Sequence, residues 1–169
     1  MPGMVACIGC GGRVPDVDGP SHRYMLASPG CWVAYTDSLM GRIGGPIPDP
    51  FGSLTVDAYA VQHPGVPNPQ STQSVWVHLV ALHLVLEGGW PLSQLVRLRR
   101  LGADASHGWP WLEPPPSLGA VTAIDVATAM AETAGAVAER WVEGAWAAWT
   151  PHADAIRTTA TDLVQRLNT

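Results

Sequence analysis

From Ser71 to Leu86 the chain carries no formal charge, and Val75, Trp76, Val77, Leu79, Val80, Leu82, Leu84, Val85 and Leu86 leave almost no polar side to a helix through it. A helix that is apolar all round has to be enclosed by other elements. The run is too short for a comfortable bilayer span and is interrupted by His78 and His83, so it reads as a buried helix and not as a membrane segment. The expected fold is therefore mostly α: a helical bundle around a central apolar helix.

The rest of the chain supplies the surrounding helices. Ser28-Pro29 offers an N-cap followed by proline at the first helical position, and Trp32, Tyr35, Leu39 and Met40 follow at helical spacing toward Gly44-Gly45. LTVDAYAVQ should be helical and end before Pro64, because the residue preceding a proline is pushed out of the α region. That places His63 at a helix C-terminus. Three prolines in HPGVPNPQS make a rigid connector, with Ser71 expected to cap the central helix. PLSQLVRLRRL reads as a further helix with a stripe at Leu92, Leu95, Val96 and Leu98, its Arg97, Arg99 and Arg100 forming a solvated end. HGWPWLEPPP reads as an extended strap over the core. Thr122 and Asp125 form a capping box for a helix toward Ala131, and helices near Thr133–Trp149 and Pro151–Leu167 close the chain. At 169 residues one domain can bury a real core, so residues 1–169 read as a single domain: an irregular, zinc-knuckle-like segment over 1–27, then a helical core over 28–169 with a Trp/Pro-rich loop near 107–117.

Residues 1–27 are dense in glycine and proline and lack apolar periodicity. Such a segment needs a cross-link to be ordered. The three cysteines, Cys7, Cys10 and Cys31, cannot all pair. No basic-then-apolar leader with a cleavage site stands at the start, which points to a cytoplasmic setting where structural disulfides are rare. A thioredoxin-like pair needs its first cysteine at a helix N-terminus, and GGRVP after Cys10 cannot begin a helix. CIGCGG instead has the form of a zinc-knuckle turn, and Cys31, in the first turn of the helix capped at Ser28, sits where free amides stabilise a thiolate. Three thiolates and a histidine suit Zn2+. For the fourth ligand, His22 would close a local C-x2-C-x11-H-x8-C array, His63 is rigidly placed beside a proline, and His78 lies on a largely apolar helix. His78 and His83 stand about 140° apart on an ideal helix and cannot form an i, i+4 metal pair.

A second grouping joins Asp57, Tyr59 and His63 on one helix to His78 on the next. Together they could line a polar pocket for acid-base chemistry, or be a buried polar network between two helices.

The stretches CIGCGG, DGPSHRYMLASPGCW, LTVDAYAVQHPG and QSVWVHL resemble a bacterial family known only as a domain of unknown function, family 5946. The resemblance covers nearly the whole chain and implies no substrate. Its recurring CxxCG, cysteine-before-aromatic and YxxQHP phrases fall here on Cys7, Cys10, Cys31, Tyr59, Gln62 and His63, which raises His63 above His22 as fourth ligand.

Two functional readings follow. One is a small helical protein with a structural zinc, acting as an interaction or regulatory module for a protein or small-molecule partner. The other is a metalloenzyme with a pocket around Asp57, Tyr59, His63 and His78. No H-E-x-x-H, G-x-S-x-G or zinc-deaminase phrase is present, and with no lysine in the chain there is no phosphate-loop lysine. Nucleic-acid binding is disfavoured by a net charge of −5, since phosphate contacts need a basic surface.

Overall fold

The computed structural model describes residues 1–104 and 107–169. It is mostly α, as expected: α1 (Pro29–Val33), α2 (Phe51–Gln62), α3 (Pro69–Leu86), α4 (Leu95–Gly102), α5 (Ala123–Thr128), α6 (Ala131–Ala148) and α7 (Ala153–Leu167), preceded by a hairpin of β1 (Met4–Ala6) and β2 (Arg13–Pro15). The hairpin is antiparallel, with Val5 opposite Val14, and its connecting loop is the CIGCGG stretch. Two strands of three residues give too short an alternation to register as a strand pattern in the sequence.

Ser28 occupies the N-cap position of α1 with extended backbone, but its side chain makes no cap; Ser28 Oγ accepts the Ile8 N–H at 3.0 Å instead. After Val33 the helix widens into a π turn over Ala34–Leu39 and tightens into a 3₁₀ turn over Met40–Arg42. α2 starts two residues before Ser53, and Asp49 Oδ1 takes the Ser53 N–H at 3.0 Å. The cap of α3 is Asn68, whose side chain accepts the Ser71 N–H at 2.9 Å, with Pro69 at the first helical position. Ser71, expected as the cap, donates its hydroxyl to Tyr24 O at 3.0 Å. Thr122 and Asp125 do form the capping box of α5, and that helix stops at Thr128, short of Ala131.

α3 packs against α2, α4, α6 and α7, so the apolar run lies inside the bundle. α2 shares the centre with it: Leu54, Ala58, Tyr59, Ala60, Val61, Gln62 and the following His63 are all at most 1% exposed. Around them stand the tryptophans. Trp141 and Trp149 are fully buried and satisfy their indole N–H groups on Gln62 Oε1 at 2.7 Å and Val61 O at 3.1 Å, the condition under which tryptophan can be a core residue. Trp76 donates to Pro110 O at 2.8 Å and stacks on Trp109, while Leu112 is buried, which seats the Trp/Pro-rich segment over the core. On α4, Leu95 and Leu98 are buried but Val96 is 58% exposed, one residue around the helix from the stripe expected to include it. No helix among the described residues is long and apolar enough to cross a membrane.

Candidate metal centre

Three separate segments bring four side chains together. The hairpin loop presents Cys7 and Cys10, the first turn of α1 presents Cys31, and His63 projects from the C-cap of α2, where the chain leaves the helix (φ −128°, ψ 61°) before Pro64. Their ligand atoms all lie within 4.8 Å of one another. Cys7 Sγ is 3.6 Å from His63 Nε2, Cys31 Sγ is 3.5 Å from the same nitrogen, and Cys10 Sγ is 3.9 Å from Cys31 Sγ.

These separations fit a metal ion. A tetrahedral ion with bonds of about 2.3 Å to sulfur and about 2.0–2.1 Å to nitrogen sets its sulfurs about 3.8 Å apart and each sulfur about 3.6 Å from the nitrogen. The tautomer also fits. His63 Nδ1 lies 2.6 Å from Tyr59 O, so Nδ1–H donates to that carbonyl and the Nε2 lone pair faces the sulfurs, the usual way an outer hydrogen bond orients a ligating imidazole. Two further donors meet the sulfurs: Ser28 N–H reaches Cys7 Sγ at 3.4 Å and the Tyr59 hydroxyl reaches Cys31 Sγ at 3.6 Å. Cys7, Cys31 and His63 are buried and Cys10 is partly so. The four residues are close enough to bind a metal ion.

The groups of the cluster shift one another's proton affinities through their mutual hydrogen bonds and their burial. Side-chain hydrogen bonds from Cys10, then Cys31, push the Cys7 thiol far down, while hydrogen bonding to Cys10 and Cys7, with burial added, pushes Cys31 up as the proton holder. Burial depresses the His63 imidazole, but its hydrogen bonds to Cys10 and Cys7 outweigh that and carry it up to about 9; without an ion Nε2 holds a proton shared with the sulfurs, and a metal ion would take that proton's place and use the lone pair. Burial first, then the neighbouring Cys31, raises Tyr59 far above its ordinary value, so its hydroxyl keeps the proton it donates.

Glycine makes the close approach possible. A Cβ on Gly9 would lie 2.2 Å from Leu26 O and 2.4 Å from His63 Cδ2, and no side chain fits there. Tyr35, Tyr59 and His63 stack in series, with ring centroids 4.1 Å and 4.0 Å apart, wedging the imidazole in place.

His22 stands outside this cluster. Its ring packs edge-on against Tyr24 and Trp32, at 4.4 Å and 5.2 Å between centroids, and Nδ1 receives the Tyr24 and Met25 amides, each at 3.4 Å. Asp57 and His78 also meet elsewhere. Two residues on a helix are about 200° apart, so Asp57 points away from Tyr59 and toward α3 and α4. There His78 Nδ1 is 2.7 Å from Asp57 Oδ1, and Arg99 donates from Nε to Oδ1 at 3.2 Å and from Nη2 to Oδ2. Asp57 is fully buried. Arg99, read from sequence as part of a solvated arginine cluster, is thus the counter-ion of a buried carboxylate, and Arg97 donates to Leu167 O at 2.8 Å. Nothing local in LVRLRRL separates these roles, since both partners are remote in sequence.

The family model described as a family of unknown function (DUF5946) matches residues 5–150. The chain belongs to this family. No curated protein and no solved structure matched it. Within this DUF5946 chain the YxxQHP phrase is one physical unit: Tyr59 and His63 serve the sulfur cluster, and Gln62 between them donates Nε2–H to Leu118 O and Val121 O, both at 2.9 Å, while accepting from Trp141.

Proposed function

We propose that this protein binds one zinc ion through Cys7, Cys10, Cys31 and His63, that the ion is structural, and that the domain acts as an interaction or regulatory module. The observation that carries this is the donor set: three sulfurs and one imidazole nitrogen within 4.8 Å of one another, with the Cys7–His63, Cys31–His63 and Cys10–Cys31 separations at the values a tetrahedral ion sets, so that four protein ligands would leave no position for water or substrate. Zinc suits it because three thiolates and an imidazole are the soft, tetrahedral shell that zinc takes in structural sites. When bound, the ion would supply a cross-link between the hairpin, α1 and α2, and the binding energy would be folding energy for the N-terminal segment. With no open coordination position, the remaining business of the domain falls to its surface and to a protein or small-molecule partner.

The alternative of a metalloenzyme with Asp57, Tyr59, His63 and His78 about one pocket has less support. Tyr59 and His63 face the cysteines, and Asp57 and His78 face α4.

Metal analysis of the purified protein tests the reading. One zinc per chain is expected, lost in Cys31→Ser and His63→Ala and retained in His22→Ala, with X-ray absorption showing sulfur and nitrogen neighbours only. Metal-free protein in every preparation, or an oxygen neighbour at full occupancy, would overturn the closed site.

A further inference from the structure

The residues of the sulfur cluster are unequally covered. Cys7 and Cys31 are 4% and 1% exposed, whereas Cys10 is only partly buried and stands in the wall of a cavity of about 620 Å³ between the hairpin and α5. Gly11, Gly12, Arg13, Thr122 and Asp125 share that wall. The two glycines set no side chain beside Cys10, and around Gly11 nothing lies within 4 Å of where a Cβ would stand. A small molecule in the cavity therefore meets Cys10, while the other two cysteines are screened behind it.

The sulfurs are also unequally held. Cys7 Sγ accepts the Ser28 N–H and Cys31 Sγ accepts the Tyr59 hydroxyl. No backbone N–H or hydroxyl among the described residues donates to Cys10 Sγ, whose contact is Cys31 Sγ at 3.9 Å. A hydrogen bond donated to a thiolate stabilises its charge and lowers its nucleophilicity. Cys10 is thus the most accessible sulfur and the one least quieted, with a second, buried sulfur close behind it.

We propose that Cys10 is an oxidation site for small hydroperoxides and that Cys31 is the cysteine that resolves it. The Cys10 thiolate attacks the outer oxygen of the hydroperoxide. An S–O bond forms as the O–O bond breaks, leaving a sulfenic acid on Cys10 and an alkoxide or hydroxide that takes a proton from water. The Cys31 thiolate then attacks the Cys10 sulfur; the S–S bond forms, the S–O bond breaks, and the departing hydroxide is protonated to water. Two thiolates lose two electrons, and one hydroperoxide is reduced to an alcohol, or to water, plus one water. The chemistry needs only the two sulfurs, and its consequence rests on the zinc reading: with half of a four-ligand shell tied up in a disulfide, Cys7 and His63 alone do not retain the ion. Reduction by a dithiol restores both thiolates, so zinc release is a reversible signal built into the module.

The test treats the full wild-type chain, its zinc content measured first, with hydrogen peroxide. Dimedone traps sulfenic acid in one arm, a chromophoric indicator follows zinc in another, and tandem mass spectrometry of non-reduced peptides maps the pairing. Dimedone is expected on Cys10 at least about tenfold above Cys7 and Cys31, following accessibility. Without the trap, Cys10–Cys31 should be the main disulfide, with one zinc released per disulfide and rebound after reduction. Cys31→Ser, which removes the resolving sulfur, should raise dimedone labelling of Cys10 several-fold. First labelling at Cys7 or Cys31, a main disulfide that includes Cys7, three thiols inert to excess peroxide, or zinc retained by the disulfide form would each overturn the assignment. Protein without zinc before oxidation would instead overturn the metal reading, and labelling and pairing would still decide this one. The wild type supplies all of these outcomes, so a Cys31→Ser chain that fails to fold does not rescue the idea.

Discussion

Gly9 shows how much of the site depends on one missing side chain. Cys7 and Cys10 converge on the same side of the loop only because Leu26 O and the edge of the His63 ring can lie against the Gly9 backbone. A methyl group there meets a carbonyl at 2.2 Å, and the loop must move as a whole. Gly9→Ala is therefore expected to weaken zinc retention by at least about tenfold, following the loss expected when the support of a ligand is disturbed; competition with a chromophoric chelator measures it. Unchanged retention would mean that the loop has room the geometry does not show. Gly11, with φ at 76°, needs glycine for the other reason, since its backbone lies in the left-handed region. The pair of glycines after Cys10 was legible as part of a knuckle turn. Gly9, between the cysteines, carried no such signal, because the atoms it makes way for come from residues 26 and 63.

Between elements, the strongest single tie in α2 is Gln62. It is fully buried and spends three hydrogen bonds on two other parts of the chain, the 118–121 turn and Trp141 on α6. Gln62→Leu preserves volume approximately and orphans two carbonyls and one indole N–H, each unsatisfied group costing about 1–3 kcal/mol when no water replaces the partner. The expected loss is at least about 2 kcal/mol, read as a lowered urea midpoint of the zinc-replete protein; a loss under about 0.5 kcal/mol would show that the three groups find other partners. Periodicity found α2 and its end at Pro64, and the family phrase flagged Gln62, but the reason for a glutamine there lies in residues beyond position 117. Helix starts were legible to the extent that they are local. Thr122 with Asp125 is a four-residue device and was read correctly, whereas at α3 several polar residues could cap and the choice fell to Asn68, because Pro69 already fits the first helical position and Ser71 is drawn off to Tyr24 O.

On the scale of the molecule, the cluster of Cys7, Cys10, Cys31 and His63 joins a segment with little core of its own to a bundle with a complete one. The hairpin is held by backbone bonds such as Cys7 N–H to Gly12 O at 2.8 Å and Gly11 N–H to Cys7 O at 2.9 Å, and Val14 is its one fully buried strand residue. Removing zinc with a chelator should accordingly free the loop first. Hydrogen exchange is expected to rise by an order of magnitude or more over residues 5–15 and at the start of α1, while α3 and α6 keep their protection, as independent units of differing stability do. Uniform loss of protection across α3 and α6 would mean that the ion also holds the bundle together.

The sequence by itself determined the properties that repeat locally: the enclosed apolar helix, the mostly α class, the proline and glycine stops, and the three cysteines as candidates for one metal site. Each rests on residues a few positions apart, where spacing alone fixes which side chains share a face. The tertiary structure decided what spacing cannot reach. It brought His63, and not His22, to within 3.6 Å of Cys7, across a separation that only the docking of the hairpin on α2 closes. It also divided Asp57 from Tyr59 by the turn of the helix between them, giving the carboxylate to His78 and Arg99 and the hydroxyl to the sulfurs. Partners far apart along the chain are chosen by packing, and packing is a property of the whole core, which no local pattern encodes.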